Sequence, residues 1–134
     1  MIMKARLPVA VALLVLLASA CSSDGGVHVR LKEYSIEGPA GAPGGPVTFR
    51  IDNDGRIDHE FDVIRTDRLP QDLPVKDASV QTGAPGVELV GKTARIKAGS
   101  SATLVVRLRA GAYVFICNVP GHYQSGMRTA FQAL

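Results

Sequence analysis

Apolar and polar residues alternate one by one along much of the chain after the first 26 residues. Val27, Val29 and Leu31 are separated by polar residues, and the same period of two recurs at 47–52 and 101–109. A strand places successive side chains on opposite faces, so apolar residues at every second position cover one face of a strand. In a helix the same spacing would distribute these residues around the axis. Further strand-like segments lie at 59–65, 112–117 and 128–134.

Glycine and proline punctuate these segments. The stretch 38–46 consists mostly of these two residues and is predicted to lack regular structure. The segment 66–97 is predicted to be a long irregular excursion. Within it, one helical turn and one or two strands are predicted, at 69–73, 87–90 and 93–96. The sequence therefore predicts an all-β fold of seven or eight short strands, an antiparallel sandwich or barrel.

Residues 1–20 have the composition of an export signal. Lys4 and Arg6 precede an uninterrupted apolar run at 9–17, and small residues follow at 18–20. This order is typical of signal peptides. The alternative is a permanent anchor helix, but the apolar run is shorter than the roughly 20 residues that cross a bilayer. The chain is therefore predicted to be exported.

Cys21, with the small residues before it, resembles the lipobox of bacterial lipoproteins, in which the cysteine is lipidated and the signal is removed. Leu17 lies four residues before Cys21 rather than the usual three, so ordinary cleavage after Ala20 remains the alternative. The composition of 21–26 predicts a flexible tether ahead of a domain at 27–134. Either route places the domain outside the cytoplasm, on the extracytoplasmic face of a bacterial membrane or in the periplasm.

The charge balance excludes one class of partner. The formal net charge is +3, from 15 basic and 12 acidic residues. Because Lys4 and Arg6 belong to the predicted signal, the mature chain is nearly neutral, with both signs mixed along it. A nucleic-acid partner is therefore not expected.

The cysteine count raises a question about Cys117. If Cys21 is lipidated, Cys117 is the single thiol of an exported protein, where unpaired thiols are unusual. If Cys21 is not lipidated, a Cys21–Cys117 disulfide is one explanation. A metal bound to the Cys117 thiolate is the other.

The segment CNVPGHYQSGM at 117–127 places a thiol, an imidazole and a thioether in one loop, at Cys117, His122 and Met127. A second imidazole, His59, follows a predicted turn, and a β-sandwich can bring it against this loop. Calcium and magnesium prefer oxygen ligands, and zinc takes thiolates, imidazoles and carboxylates rather than thioethers. Two histidines and a cysteine with a weak axial methionine are the arrangement of blue copper sites that transfer electrons.

At these residues the chain resembles the cupredoxins, in the plastocyanin and azurin group. The resemblance is carried by His-Glu-Phe at 59–61, by the strand at 113–116 and by the loop at 117–127. It extends over most of 27–134. The four-residue gaps on both sides of His122 are most similar to the rusticyanin, sulfocyanin and auracyanin branch.

This resemblance implies a Greek-key β-sandwich that holds one copper ion, which alternates between Cu(I) and Cu(II). It implies that His59, Cys117 and His122 are the strong ligands and that Met127 is the weak axial one. Redox partners of this family dock weakly on an apolar patch around the C-terminal histidine. The candidate docking residues here are Val119, Pro120, Tyr123, Leu69 and Leu73. The alternative is that the two leucines only cap the core.

Glu60 departs from the family pattern, in which Asn or Ser often follows the first histidine. Its backbone N–H is still expected to donate to the Cys117 sulfur. The hypothesis that follows is that its carboxylate lowers the reduction potential. The remaining histidine, His28, is predicted to lie on the polar face of its strand.

The leading functional prediction is a monomeric, membrane-anchored carrier of single electrons between extracytoplasmic redox partners. The alternative is a copper-binding protein for delivery, storage or sensing. Copper-delivery proteins often expose stretches rich in Met and His, whereas Met127 is the single methionine outside the predicted signal. An enzyme is not expected, because only His28 is left to bind additional copper.

Overall fold

Eleven β-strands and one 3₁₀ turn make up residues 25–134, the part of the chain that this computed structural model describes. In chain order the strands are β1 Gly26–Lys32, β2 Ser35–Glu37, β3 Gly41–Ala42, β4 Gly45–Asn53, β5 Asp62–Arg65, β6 Val75–Lys76, β7 Ser79–Val80, β8 Glu88–Lys92, β9 Ser101–Leu108, β10 Gly111–Ile116 and β11 Arg128–Ala133. Eight of them have three or more residues, so the predicted all-β class and strand number are confirmed. No helix in this range is long and apolar enough to cross a membrane. The predicted export signal and the lipidation site Cys21 lie outside the described residues.

Two sheets pack face to face, with strand orders β2-β1-β4-β9 and β3-β11-β10-β5-β8, while β6 and β7 form a separate hairpin. Most neighbouring strands pair antiparallel, as predicted, but two pairs do not. Strand β1 lies parallel to β4, and β3 lies parallel to β11. After β2 the chain crosses to the edge of the second sheet, forms β3 there and returns, so β4 enters the first sheet in the same direction as β1.

Burial follows the predicted alternation where only one face of a strand is covered. Along β1, Val27, Val29 and Leu31 are buried and their neighbours are not. Strand β5 differs, because Asp62 and the two residues after it are all buried. A second apolar cluster covers the outer face of β5 and β10, and it consists of Ile64, Leu73, Val80, Val87, Val114, Ile116 and Tyr123. Most of this cover comes from the excursion at 66–97.

Four phenylalanines form the centre of the main core between the sheets. Phe49 is fully buried, and its ring centroid lies 5.4 Å from that of Phe61, 5.3 Å from that of Phe115 and 6.0 Å from that of Phe131. Phe61 and Phe115 are each two residues from a predicted ligand, His59 and Cys117 respectively. The packing of the core thus fixes the segments that carry these two side chains.

The excursion at 66–97 contains most of what was predicted. The 3₁₀ turn at Pro70–Asp72 confirms the helical turn, and β8 confirms the strand near 87–90. The predicted strand at 93–96 is wrong, since only Ile96 pairs there, in an isolated bridge to His59. The strand predicted at 59–65 begins only at Asp62, because His59 pairs through this isolated bridge alone.

The prediction that 38–46 lacks regular structure was also wrong. Gly41–Ala42 forms β3, which pairs with the end of β11. A Cβ atom on Gly41 would lie 2.6 Å from the backbone oxygen of Gln132. Because glycine lacks a side chain, β3 can approach β11 closely enough to pair with it. Glycine, which suggested a loop here, is thus required by a strand.

We expect Gly41→Ala to lower the free energy of unfolding by about 1–2 kcal/mol, because the new methyl group meets backbone that cannot easily move. Gly83→Ala is the matched control, since a Cβ there meets nothing within 4 Å. It should change stability by less than about 0.5 kcal/mol. Urea unfolding of both variants measures the difference. Equal effects would show that β3 tolerates a side chain at this position.

Candidate metal centre

His59 is positioned by backbone pairing and by one buried amide. Its N–H donates to the carbonyl of Ile96 at 3.1 Å, and the N–H of Ile96 donates back at 2.7 Å. The Asn53 side chain, which is buried, donates to the carbonyls of Ile57 (2.9 Å) and Ile96 (2.8 Å) and accepts from the N–H of Gly55 at 3.0 Å. Asn53 thus holds the loop before His59 to the segment opposite it.

The loop at 117–127 is closed by its own backbone. The N–H of Cys117 donates to the carbonyl of Met127 at 3.1 Å, and the N–H of Met127 donates to the carbonyl of His122 at 3.1 Å. Gly121 and Gly126 have φ values of 87° and 107°, which favour glycine at these two bends. Because β10 and β11 pair up to Ile116 and Arg128, the two ends of the loop lie side by side.

Three of the four predicted ligands converge on one buried point. The Nδ1 atoms of His59 and His122 are 3.2 Å apart, and the Cys117 Sγ lies 3.9 Å from the first and 3.4 Å from the second. Metal bonds of about 2.0 Å to nitrogen and about 2.3 Å to sulfur, at angles of about 100–130°, place such donors about 3.1–3.9 Å apart. The spacing therefore fits a single ion bound to all three.

Met127 is the fourth predicted donor, and its backbone is hydrogen-bonded to both Cys117 and His122. Its side chain is fully buried in the same apolar cluster as Cys117. A thioether and a thiolate are soft ligands that suit Cu(I), and imidazole suits both oxidation states of copper. The chemistry of the donors thus fits copper better than a hard cation or zinc.

Burial sets the protonation of the donors. Desolvation raises the pKa of the Cys117 thiol, although the backbone N–H groups of Glu60 and Val119 oppose it. The pKa of His122 is lowered, first by desolvation and then by His59. The metal-free site therefore holds a thiol and a neutral imidazole at neutral pH, and metal binding must displace the thiol proton.

The backbone of Glu60 reaches the sulfur as predicted. Its N–H donates to the Cys117 Sγ at 3.3 Å. A hydrogen bond to sulfur from the segment that carries His59 ties the two ligand-bearing segments together. The effect of the Glu60 carboxylate on the reduction potential stays a prediction.

Two residues that sequence reasoning missed contact the histidines from the β1–β2 turn. The Glu33 Oε1 lies 3.4 Å from the His59 Nε2. The Tyr34 ring packs edge-on against His122 with 5.3 Å between centroids, and Tyr34 adopts a φ of 58° that is rare for an aromatic residue. No local motif marks either residue, because the turn reaches the site only through the parallel pairing of β1 with β4.

The predicted docking residues divide by burial. Leu69 and Pro120 are exposed and Val119 is half-buried. Leu73 and Tyr123 are buried in the second apolar cluster, so their expected place on a docking surface is wrong. The Tyr123 hydroxyl donates to the carbonyl of Pro70 at 2.6 Å and accepts from the N–H of Leu73 at 3.0 Å. For Leu73 the alternative of capping the core holds.

The structure also places His28 and Cys117, whose surroundings the sequence analysis considered. His28 is exposed on β1, as predicted. Cys117 is buried and unpaired within residues 25–134. The possible partner Cys21 lies outside them. Among the described residues, His59, Cys117 and His122 are the one group of histidines, cysteines and carboxylates placed to share a metal.

The chain has the cupredoxin fold. The ligand set of a type 1 copper site is formed by His59, Cys117, His122 and Met127. The structure superposes on reduced auracyanin from Roseiflexus castenholzii with a TM-score of 0.62 and 17% identity, covering 82% of this chain and 97% of that one. For rusticyanin from Thiobacillus ferrooxidans the TM-score is 0.56 and the identity 23%, covering 84% and 79%.

Sequence comparison finds a curated relative that is named as a copper protein. The copper-resistant cuproprotein CopI of Rubrivivax gelatinosus is 34% identical over 87 residues, which are 63% of this chain and 49% of that protein. The chain thus spans about half the length of this relative. No protein-family model matches the chain.

Proposed function

We propose that this protein is an exported carrier that passes single electrons between redox partners through one type 1 copper ion. The observation that supports this best is the convergence of His59, Cys117 and His122, whose donor atoms all lie within 4.8 Å of one another in the core. Bound copper would supply a one-electron couple between Cu(I) and Cu(II). Backbone hydrogen bonds and core packing hold the donors in place, which keeps the rearrangement that accompanies each transfer small.

A route for electrons at the His122 end is part of the proposal. His122 is 8% exposed, and Tyr34, which packs against it, is 43% exposed. Leu69 and Pro120 are also exposed, and in this proposal they belong with Tyr34 to one small, mostly apolar docking face. Such a face suits the weak and transient docking of electron-transfer partners. A lipid on Cys21 would keep the domain near membrane-bound partners.

A role in copper handling is the second candidate, and the relative from Rubrivivax gelatinosus favours it. That protein is named for copper resistance, and the match covers most of this chain. A protein that protects against copper has to capture the ion or pass it on. An electron carrier has to keep it.

We expect Cu(II) to turn the purified protein intensely blue, because charge transfer from a thiolate to Cu(II) absorbs visible light. Cys117→Ser should abolish the colour, since an alcohol does not supply the thiolate. His28→Ala, which removes an exposed histidine from β1, should leave it unchanged. Absorption spectra recorded during a copper titration measure this. A colourless wild type, or a colour that survives Cys117→Ser, would refute the type 1 site.

Repeated reduction and oxidation in the presence of a copper chelator then separates the two candidates. An electron carrier should retain its copper and regain its full colour over many cycles. Transfer of Cu(I) to the chelator at the first reduction would favour copper handling instead.

A further inference from the structure

The ring of His59 presents a polar atom that lacks a partner at normal hydrogen-bond length. Its Nε2 is buried, and within residues 25–134 it has no such partner. Because Nδ1 faces the other ligands, a metal bound there forces the proton of the neutral imidazole onto Nε2. A buried N–H without an acceptor is costly, on the order of 1–3 kcal/mol. The metal-bound site therefore requires an acceptor beside this atom.

Glu33 is placed to be that acceptor. Its Oε1 lies 3.4 Å from the His59 Nε2. An approach of about 0.5 Å would bring the pair to the usual hydrogen-bond length. The space between them is open because the residue alongside is Gly55, where a Cβ atom would collide with the Glu33 Oε1 and lie 3.0 Å from the His59 Nε2.

The Glu33 carboxylate is itself held in place by the loop that leads to His59. Its Oε1 accepts the backbone N–H of Arg56 at 2.6 Å and that of Ile57 at 3.2 Å. Two donors from the same loop therefore hold this oxygen beside the ring.

We propose that Glu33 is a positioning residue of the copper centre, whose carboxylate accepts the Nε2–H of His59 and thereby orients the ligand and lowers the reduction potential. The proposal rests on the proposed copper site. A carboxylate on the far nitrogen fixes the tautomer and makes the imidazole a stronger donor. A stronger donor stabilises Cu(II) more than Cu(I), which favours the oxidised protein.

The chain offers a matched control for the loss of charge. Glu37 lies on β2 of the same hairpin, is exposed, and pairs with Lys32 at 3.6 Å. Glu37→Gln therefore removes the same charge from the same hairpin without touching the ring of His59. Glu33→Gln keeps the size of the side chain and an oxygen for the two N–H groups. Glu33→Ala removes the oxygen as well.

Voltammetry of the copper-loaded protein tests the proposal. We expect Glu33→Gln to lower the preference for Cu(II) over Cu(I) by about tenfold, which for a one-electron couple raises the potential by about 59 mV. Glu33→Ala should raise it at least as much, and Glu37→Gln less than a third as much. All variants should stay blue, because no ligand is changed.

Proton NMR of the Cu(I) protein provides a second readout that a merely structural role would not move. The Nε2–H of His59 should exchange slowly with solvent in the wild type and in Glu37→Gln, and faster in Glu33→Ala. Equal shifts in potential for Glu33→Gln and Glu37→Gln, or unchanged exchange in Glu33→Ala, would overturn the role of Glu33. A wild type that never turns blue would instead overturn the copper site on which it rests.

Discussion

Phe49→Ala is expected to lower the free energy of unfolding by about 3–5 kcal/mol, the usual cost of removing a buried phenylalanine. Phe49 is fully buried and touches the rings of Phe61, Phe115 and Phe131, which come from three strands or strand ends of the opposite sheet. Alanine would leave a cavity at the point where the two sheets meet. Since domains of this size are stable by about 5–15 kcal/mol, the loss is a large part of the total.

Denaturant unfolding of the metal-free protein measures this loss, and Val105→Ala is its control. Val105 lies on β9 with 66% of its surface exposed, so its truncation should change stability by less than about 0.5 kcal/mol. Copper-loaded Phe49→Ala should still be blue where it is folded, because no ligand is removed. A loss below about 1 kcal/mol would mean that the core refills the cavity, contrary to this expectation.

The sequence predicted the bounds of the strands that are covered on one side more closely than those of β5, which is covered on both and is shorter than the segment predicted at 59–65. Alternation marked β1, β4 and β9 because each has an exposed face. Strand β5 carries no such signal, since Ile64 and Val63 are buried on opposite faces. Its outer cover comes from residues of the excursion, such as Leu73 and Val80, and no local pattern shows where an irregular segment will pack.

The ligands likewise differ in whether the local sequence indicates their position or distant strand pairing determines it. Cys117, His122 and Met127 share one loop, so their spacing was visible in the sequence. His59 could be proposed because its residue type completed the set, while its position depends on the bridge to Ile96. Glu33 gave no signal at all. It approaches His59 only because β1 pairs parallel to β4, a crossing that the alternation of residues does not encode.

Asp62 is expected to make the stability of the metal-free protein fall as the pH rises from about 4 to about 7. The side chain is 1% exposed, and its Oδ1 has no hydrogen-bond partner within residues 25–134. Burial, and next the charge of Glu60, raise its pKa from 3.8 to about 7, while Lys92 opposes the shift. Between these two values the folded protein binds a proton that the unfolded chain has released, so raising the pH favours unfolding.

The full effect of this shift is at most roughly 4 kcal/mol, from about 1.4 kcal/mol for each unit of pKa. Asp62→Asn cannot release a proton, so we expect it to lack this loss and to be more stable than the wild type above pH 7.

The measurement is the difference in unfolding free energy between wild type and variant from pH 4 to pH 8, which cancels the titration of the other groups. Asp58→Asn, at an exposed position, should show no such pH-dependent difference. A constant difference for Asp62→Asn across this range would mean that the buried carboxyl is already ionised at pH 4, and that the protein stabilises its charge in a way that burial alone does not predict.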